Sequence, residues 1–268
     1  DTQDIWGEIL EENSTAGITP DDVREAFSGF HGKISQKPPM YSAVRVGGRR
    51  LYDYARAGET VEVKEREVYI RGLEIEQMDF AHDSDVKKVT FTVECSKGTY
   101  IRTICEDAGR HLGCGAAMES LCRIASGAFK IEDAIDLYEL VDTYSSRRFE
   151  SEKYFVEPAG EDALCEIEKL VLPTDYPLTH FGSAVMDEAM GKKFIDGWHI
   201  SFRDCEVTER PEFEQKEPEF EIRPEYRGAY KMYRRTACGN DFLGVAFYSP
   251  KYKKLVADKV FCRNDEEV

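Results

Sequence analysis

Residues 94–115 read ECSKGTYIRTICEDAGRHLGCG, and within them the hydrophobic period changes. Up to Cys95 the pattern alternates: Val89, Phe91, Val93 and Cys95 share one face, as in a half-buried strand. From Ile101 the apolar residues fall at Ile101, Ile104, Cys105, Ala108 and Leu112, the spacing of a helix with one buried stripe. Gly113 supplies a left-handed stop. A strand therefore runs into the turn at 96–98 and a helix leaves it. Arg102 falls in the first turn of that helix, off the buried stripe, where the dipole disfavours a cation by a few tenths to about 1 kcal/mol. Tyr100 sits at the same junction. An aromatic ring, a guanidinium and free backbone N–H groups in one place suit an anion or a carboxylate. The competing reading is an ordinary surface arginine beside a half-buried tyrosine.

Upstream, ITPDDVREAFSGF predicts a helix capped by Thr19, with Pro20 at its first position and Asp21 and Asp22 complementing the dipole. HGKISQKPPMYSAVRVGGRR cannot be helical through Pro38-Pro39 and reads as an extended loop, a short strand SAVRV and a Gly47-Gly48 turn. RRLYDYARAG then predicts a short helix ending at Gly58. EVKEREVYIRGLEIEQMDF and KKVTFTVECSKG read as antiparallel strands joined across AHDSD. Downstream, SLCRIASGAFKI reads as an extended piece, and IDLYELVDTYSSRR as a helix with a basic C-terminal end. In the last third, a short helix is expected near GSAVMDEAMGKKF, with strands at FLGVAFY and KKLVADKVF.

These elements predict an α+β chain, with a mostly antiparallel sheet and flanking helices over 1–148. A linker at 149–165 and a small β-rich domain at 166–268 follow. An acidic, proline-broken insert at 206–226 reads as a solvated loop.

The chain has 268 residues and a formal net charge of −16. That balance argues against a general basic footprint for nucleic acid. It leaves room for local basic faces at 45–51, 227–235 and 251–254. No apolar run reaches membrane-spanning length and no leader peptide is read. The eight cysteines form no CxxC pair, so zinc-ribbon spacing is absent and no metal is expected. They read as reduced thiols, mostly filling the core, in a cytoplasmic protein.

KPPMYSAVRVGGRRLYDYARAG followed by CSKGTYIRTICEDAGRHLGCGAAMESLCRIASGAF closely resembles the TruB family of tRNA pseudouridine-55 synthases. The order and spacing of both motifs fit. DFLGVAFYSPKYKKLVADKVF is similar to that family's small PUA-like RNA-binding domain. The resemblance implies a pseudouridine synthase fold, a tRNA T-arm as partner, no cofactor, and a monomer.

Residue by residue, the resemblance makes Arg102 the partner of a catalytic aspartate carboxylate. It puts Tyr100 in the uridine pocket and Leu121 against the target base. Lys97 and Arg123 become basic positions near the site, and 38–43, with Met40 and Tyr41, a segment beside the cleft. Arg45, Arg49 and Arg50 would join Lys97 and Arg123 in touching phosphates. A solvated helix start is the bland reading of Arg49 and Arg50.

Two departures from the family pattern stand out. Arg123-Ile124 occupies a place where the family shows Arg-Thr. The family's glycine-rich motif bearing the nucleophilic aspartate, of the TG-x-LDP type, does not occur here. DTQDIWGEI resembles a segment that follows that motif, so the nucleophile is expected upstream of Asp1. Asp1, Asp4 and Asp107 are the local substitutes to weigh. Two other readings compete: a non-catalytic RNA-binding protein of the same fold, and a cysteine hydrolase using Cys95 or Cys105 with His111.

Overall fold

The computed structural model describes residues 1–80, 86–150, 153–158, 160–212 and 224–261. The chain divides into two compact units, Asp1–Cys122 and Arg123–Val268.

In the first unit, α1 (Pro20–Ser28) begins as its sequence dictates. Thr19 and Asp22 form a reciprocal capping box, and Pro20 stands in the first turn. The Thr19 hydroxyl and N–H together hold the Asp22 carboxyl below its ordinary range. After Gly29 the chain enters β1 (Gly32–Gln36), then a loop with Pro38 and Pro39 buried. A two-residue hairpin follows, β2 (Arg45–Val46) and β3 (Arg49–Arg50), so the expected SAVRV strand is shorter than read. Gly47 and Gly48 both have positive φ, the geometry that an L side chain resists at this turn. α2 (Leu51–Arg56) ends just before Gly58, itself at φ 68.

β4 (Arg66–Asp79) and β5 (Lys88–Cys95) pair antiparallel, as their alternation predicts. The AHDSD turn between them lies outside the described residues. β1 pairs with the other edge of β4, giving the order β1-β4-β5. α3 (Ile101–Leu112) closes with Gly113 at φ 75, as expected. Val23, Phe27, Ile70, Ile104 and Ala108 form the buried centre, with Phe91, Val93 and Ile101 packed around it. Ile104 is wholly buried, worth about 1.5–3 kcal/mol against exposure. This packing of α1 and α3 on one sheet face fixes where the first turn of α3 stands.

The second unit opens with a small hairpin, β6 (Ala125–Ser126) and β7 (Phe129–Lys130). α4 (Leu137–Tyr144) is capped by the Asp136 carboxylate, which accepts the Tyr138 and Glu139 N–H groups. The expected basic end of this helix is corrected: Ser145–Glu150 forms β8, paired with β9 (Lys153–Pro158). The break comes at Ser145, whose φ of −124 and ψ of 153 are extended. The stretch 149–165, expected as a linker, carries the end of β8, β9 and the first turns of α5 (Glu161–Leu170).

The last sheet runs β11-β10-β12-β13-β14, built from β10 (Gly182–Met186), β11 (Glu206–Glu209), β12 (Ala229–Thr236), β13 (Gly239–Ser249) and β14 (Lys254–Val260). Only the β10–β12 pair within it is parallel. The helix expected near 182–194 is shorter than read. GSAVM is a fully buried interior strand, and α6 (Glu188–Ile195) starts where the Asp187 carboxylate accepts the Met190 N–H. A strand buried on both faces loses the alternation that marks one. Ala184, Met186, Phe194, Ile200, Met232, Leu243, Ala246 and Leu255 form its core. Most of the 206–226 insert lies outside the described residues.

Candidate active site

The first turn of α3 draws together three segments remote in sequence. Tyr100 is the N-cap residue, at φ −101 and ψ 108. Gln36, the last residue of β1 and only 2% exposed, lays its side-chain amide against it. The Tyr100 N–H donates to Gln36 Oε1 at 3.0 Å, and Gln36 Nε2 donates to the Tyr100 carbonyl at 3.3 Å.

Two residues on, the half-buried Arg102 guanidinium donates from Nη1 to the Thr2 carbonyl and from Nη2 to the Tyr41 carbonyl, both at 3.0 Å. Hydrogen bonds from a charged donor are worth about 1.5–3 kcal/mol, more than the dipole costs. A guanidinium carries five N–H donors, so three remain for another acceptor. Among the described residues no carboxylate pairs with it.

The segment at the start of the chain is held by the same helix. The Thr103 hydroxyl donates to Gln3 Oε1 at 3.2 Å, and Gln3 Nε2 donates to the Glu106 carboxylate. The Met118 N–H donates to the Gln3 carbonyl, and the Ile5 N–H to the Met118 carbonyl, each at 3.0 Å. At the strand end, Ser96 Oγ accepts the Tyr69 N–H at 3.0 Å, which fixes the turn into α3.

The local aspartates are all engaged elsewhere. Asp1 Oδ1 accepts the Glu8 N–H and Asp4 Oδ1 the Trp6 N–H, at 2.8 and 3.0 Å. Asp107, which the helix places half-buried, pairs with Arg110 at 2.6 Å. None of the three is a partner for Arg102.

Of the other expected site residues, Met40 and Tyr41 are half-buried in the loop that Arg102 grips. Lys97 is exposed beside Gly98, which has φ 87. Leu121 stands 60% exposed, outside the core cluster. Arg123 is exposed and opens the second unit. Arg45 is exposed on β2, across from Arg50. Arg49 is braced: its guanidinium lies 4.2 Å from the Tyr54 ring centroid and 2.9 Å from the Glu59 carboxylate. Arg50 Nη1 donates to the Tyr52 hydroxyl at 2.6 Å. Sequence reasoning missed Gln36, Gln3 and Thr103. The one local signal was a glutamine ending the GKISQ alternation on a buried position.

The cysteine-hydrolase reading finds no support at Cys105. Burial pushes the Cys105 thiol up to about 11, so it is a thiol and not a thiolate at neutral pH. His111 is exposed, and no hydrogen bond joins it to Cys105. The described cysteines are also less buried than expected: Cys122, Cys165 and Cys238 are exposed, and Cys95, Cys105, Cys114 and Cys205 are half-buried; Cys262 lies outside the described residues. Peptide mapping after brief maleimide treatment at neutral pH should find Cys122, Cys165 and Cys238 modified at least about tenfold faster than Cys105. Equal rates would contradict the partial shielding of Cys105.

Among the described residues no group of three His, Cys, Asp or Glu side chains is arranged to hold a metal ion. No described helix is long and apolar enough to cross a membrane.

Comparison with known families decides the kinship. Residues 1–101 match the TruB family pseudouridylate synthase N-terminal domain, and 102–179 the tRNA pseudouridylate synthase B C-terminal domain. The chain belongs to the TruB family. Similar relatives are the tRNA pseudouridine synthase B of Alkaliphilus oremlandii, 40% identical over 199 residues, and that of Clostridioides difficile, 40% over 202. The alignments cover 74% and 75% of this chain but only 57% and 59% of those proteins, so the chain spans about three-fifths of their length. In fold it is similar to a chain of a Cbf5–Nop10–Gar1 complex, with TM-score 0.57 and 18% identity, covering 93% of this chain and 63% of that one. A second fold match, also at 0.57 and with 16% identity, is a chain of an H/ACA ribonucleoprotein bound to a substrate RNA containing 2′-deoxyuridine; it covers 94% of this chain and 64% of that one. The α+β fold expected from the sequence is thus that of a pseudouridine synthase.

Proposed function

We propose that this chain carries most of the active-site wall of a cytoplasmic, monomeric tRNA pseudouridine-55 synthase, with the T-loop uridine as substrate. The observation that carries the reading is Arg102: fixed at the helix start by two carbonyls, with three donors unspent and Tyr100 beside it.

The reaction is an isomerisation. The N1–C1′ bond breaks, the base turns, C5 bonds to C1′, and the C5 proton leaves as N1 gains one. It needs an ionised carboxylate, a cation that keeps it ionised, and walls that retain the detached base. The carboxylate is an aspartate encoded ahead of Asp1. Arg102 faces it with its free edge and lowers its pKa. The uridine is flipped out of its loop at a cost of a few kcal/mol. Stacking on Tyr100, with Tyr41, Met40 and Leu121 as further wall, returns about 1–3 kcal/mol. Lys97, Arg45, Arg49 and Arg123 take phosphate contacts that set the register of the stem. Arg49 is pre-positioned for this by Tyr54 and Glu59. The PUA-like part of the second unit adds RNA contacts.

One observation favours a second reading, a non-catalytic RNA-binding protein: no described carboxylate faces Arg102. Tritium release from a tRNA transcript labelled at uridine C5 separates the two. The 268-residue chain alone is expected to release none. The chain extended by what its reading frame encodes ahead of Asp1 should release one tritium per tRNA. Turnover by the chain alone would refute the assignment of the nucleophile, and no turnover by the extended chain would favour the binding protein.

A further inference from the structure

We propose that the Gln36 side-chain amide is a positioning residue for this site, acting as an N-terminal cap of α3 delivered from a different strand. The inference rests on the uridine-isomerising reading for its kinetic consequences and on geometry alone for the rest.

In an ordinary capping box the third helical residue turns its side chain back to the N-cap N–H. In α3 that residue is Thr103, and its hydroxyl is committed to Gln3 Oε1. The Tyr100 N–H is instead satisfied by Gln36 Oε1, 64 residues away. The sheet cannot make this connection by itself. Its order is β1-β4-β5, so the end of β1 and the exit of β5 are separated by a whole strand. A side chain must bridge the gap, and the primary amide suits the task because it offers an acceptor and a donor side by side. It uses both, on the N–H and the carbonyl of one residue. The Tyr100 carbonyl also accepts the first N–H bonds of the helix, from Thr103 at 3.1 Å and Ile104 at 3.3 Å. Gln36 thereby orients the peptide groups that flank Tyr100 and set the direction in which the first turn leaves.

The same stretch closes a ring. From Gln36 the chain runs through buried Pro38 and Pro39 to Tyr41, whose carbonyl is gripped by Arg102. The 37–41 loop is therefore fastened at each end to the first turn of α3, by an amide at one end and a guanidinium at the other. Loosening the first fastening frees the second. Burial makes the arrangement demanding, since neither amide atom has water as a substitute partner.

The test uses the extended chain with Gln36→Met, which keeps the shape and removes both bonds, and Gln36→Glu. Glu74→Gln, on an exposed position of β4, is the control. Uridine turnover, corrected for folded fraction, should fall at least about tenfold in kcat for Gln36→Met, with KM changed less than about threefold. Gln36→Glu should regain activity relative to wild type as pH falls. A protonated carboxyl can donate to the Tyr100 carbonyl, whereas a carboxylate repels it; a mutation that only weakens the fold gives no such recovery. Amide exchange read by mass spectrometry supplies an answer that needs no activity. Amides 100–104 should exchange at least about tenfold faster in Gln36→Met, with those of α1 unchanged. Unaltered exchange at 100–104, or a full kcat in Gln36→Met, would overturn the proposal. An inactive wild type with faster exchange in the variant would overturn the functional reading and leave the cap standing.

Discussion

Arg102→Ala is expected to cut uridine turnover by the extended chain at least about 10²-fold and to destabilise its first unit by about 2–3 kcal/mol. The two losses have different causes. The stability loss comes from two charge-assisted bonds, to the Thr2 and Tyr41 carbonyls at 3.0 Å each, worth about 1.5–3 kcal/mol apiece before the freed carbonyls take up water. On the proposed chemistry the catalytic loss would come from the free edge of the guanidinium, which would keep a carboxylate ionised and in place; displacing a reacting group by about 1 Å can cost 10²-fold. Arg102→Lys separates them. An ammonium keeps the charge but lacks the planar fork, so one carbonyl can be held and the carboxylate still stays ionised. It should recover part of the turnover and less than half of the stability. Urea unfolding and tritium release on the same preparations read both quantities. Wild-type turnover in Arg102→Ala would remove this residue from the chemistry. An unchanged urea midpoint would mean that the two carbonyl bonds contribute nothing.

Gly109→Ala should be among the most damaging small substitutions in the chain, at about 3 kcal/mol or more. In a helix interior the change ordinarily gains about 1 kcal/mol. Here a Cβ would stand 2.1 Å from the Ala116 nitrogen and 2.3 Å from the Gly115 carbonyl carbon, both backbone. The chain after α3 doubles back through left-handed Gly113 and Gly115 and docks on the helix, where the Gly115 N–H donates to the Gly109 carbonyl at 3.0 Å. Backbone cannot step aside as a side-chain tip can, so the doubled-back segment must lift. It carries Met118, which pairs with Gln3 and Ile5, so the disturbance reaches the segment under Arg102. A melting temperature lower by roughly 6–12 °C is expected. Gly29→Ala, at φ −74 with nothing within 4 Å, is the control and should be near neutral. Similar melting of the two variants would show that the close approach is not real.

Local chemistry made the frame of the site legible. Thr19-Pro20 and Asp22 announced α1, the Val89-to-Cys95 alternation announced β5, and the Ile101 stripe with Gly113 bounded α3. These signals act within a few residues and survive in any context. The family motif singled out Tyr100 and Arg102, but not what holds them. Gln36 meets Tyr100 across 64 residues and Thr2 meets Arg102 across 100, and no periodicity encodes a bond of that reach. The misread elements failed for physical reasons too. GSAVM is buried on every residue, so its strand period vanishes. SSRR follows α4 without a glycine or proline to mark the break, and the chain turns extended at Ser145 because β9 is there to pair with it.

The bond between Arg102 and the Thr2 carbonyl also has a place in time. At about 5–20 residues per second of synthesis, Thr2 is made roughly 5–20 s before the side chain that will anchor it, and Tyr41, 61 residues upstream of Arg102, roughly 3–12 s before. Throughout that interval the segment bearing Trp6, Ile9 and Leu10, which are 87%, 69% and 74% exposed in this structure, has none of α3 to dock on. The Arg102 clasp thus joins two halves made far apart in time.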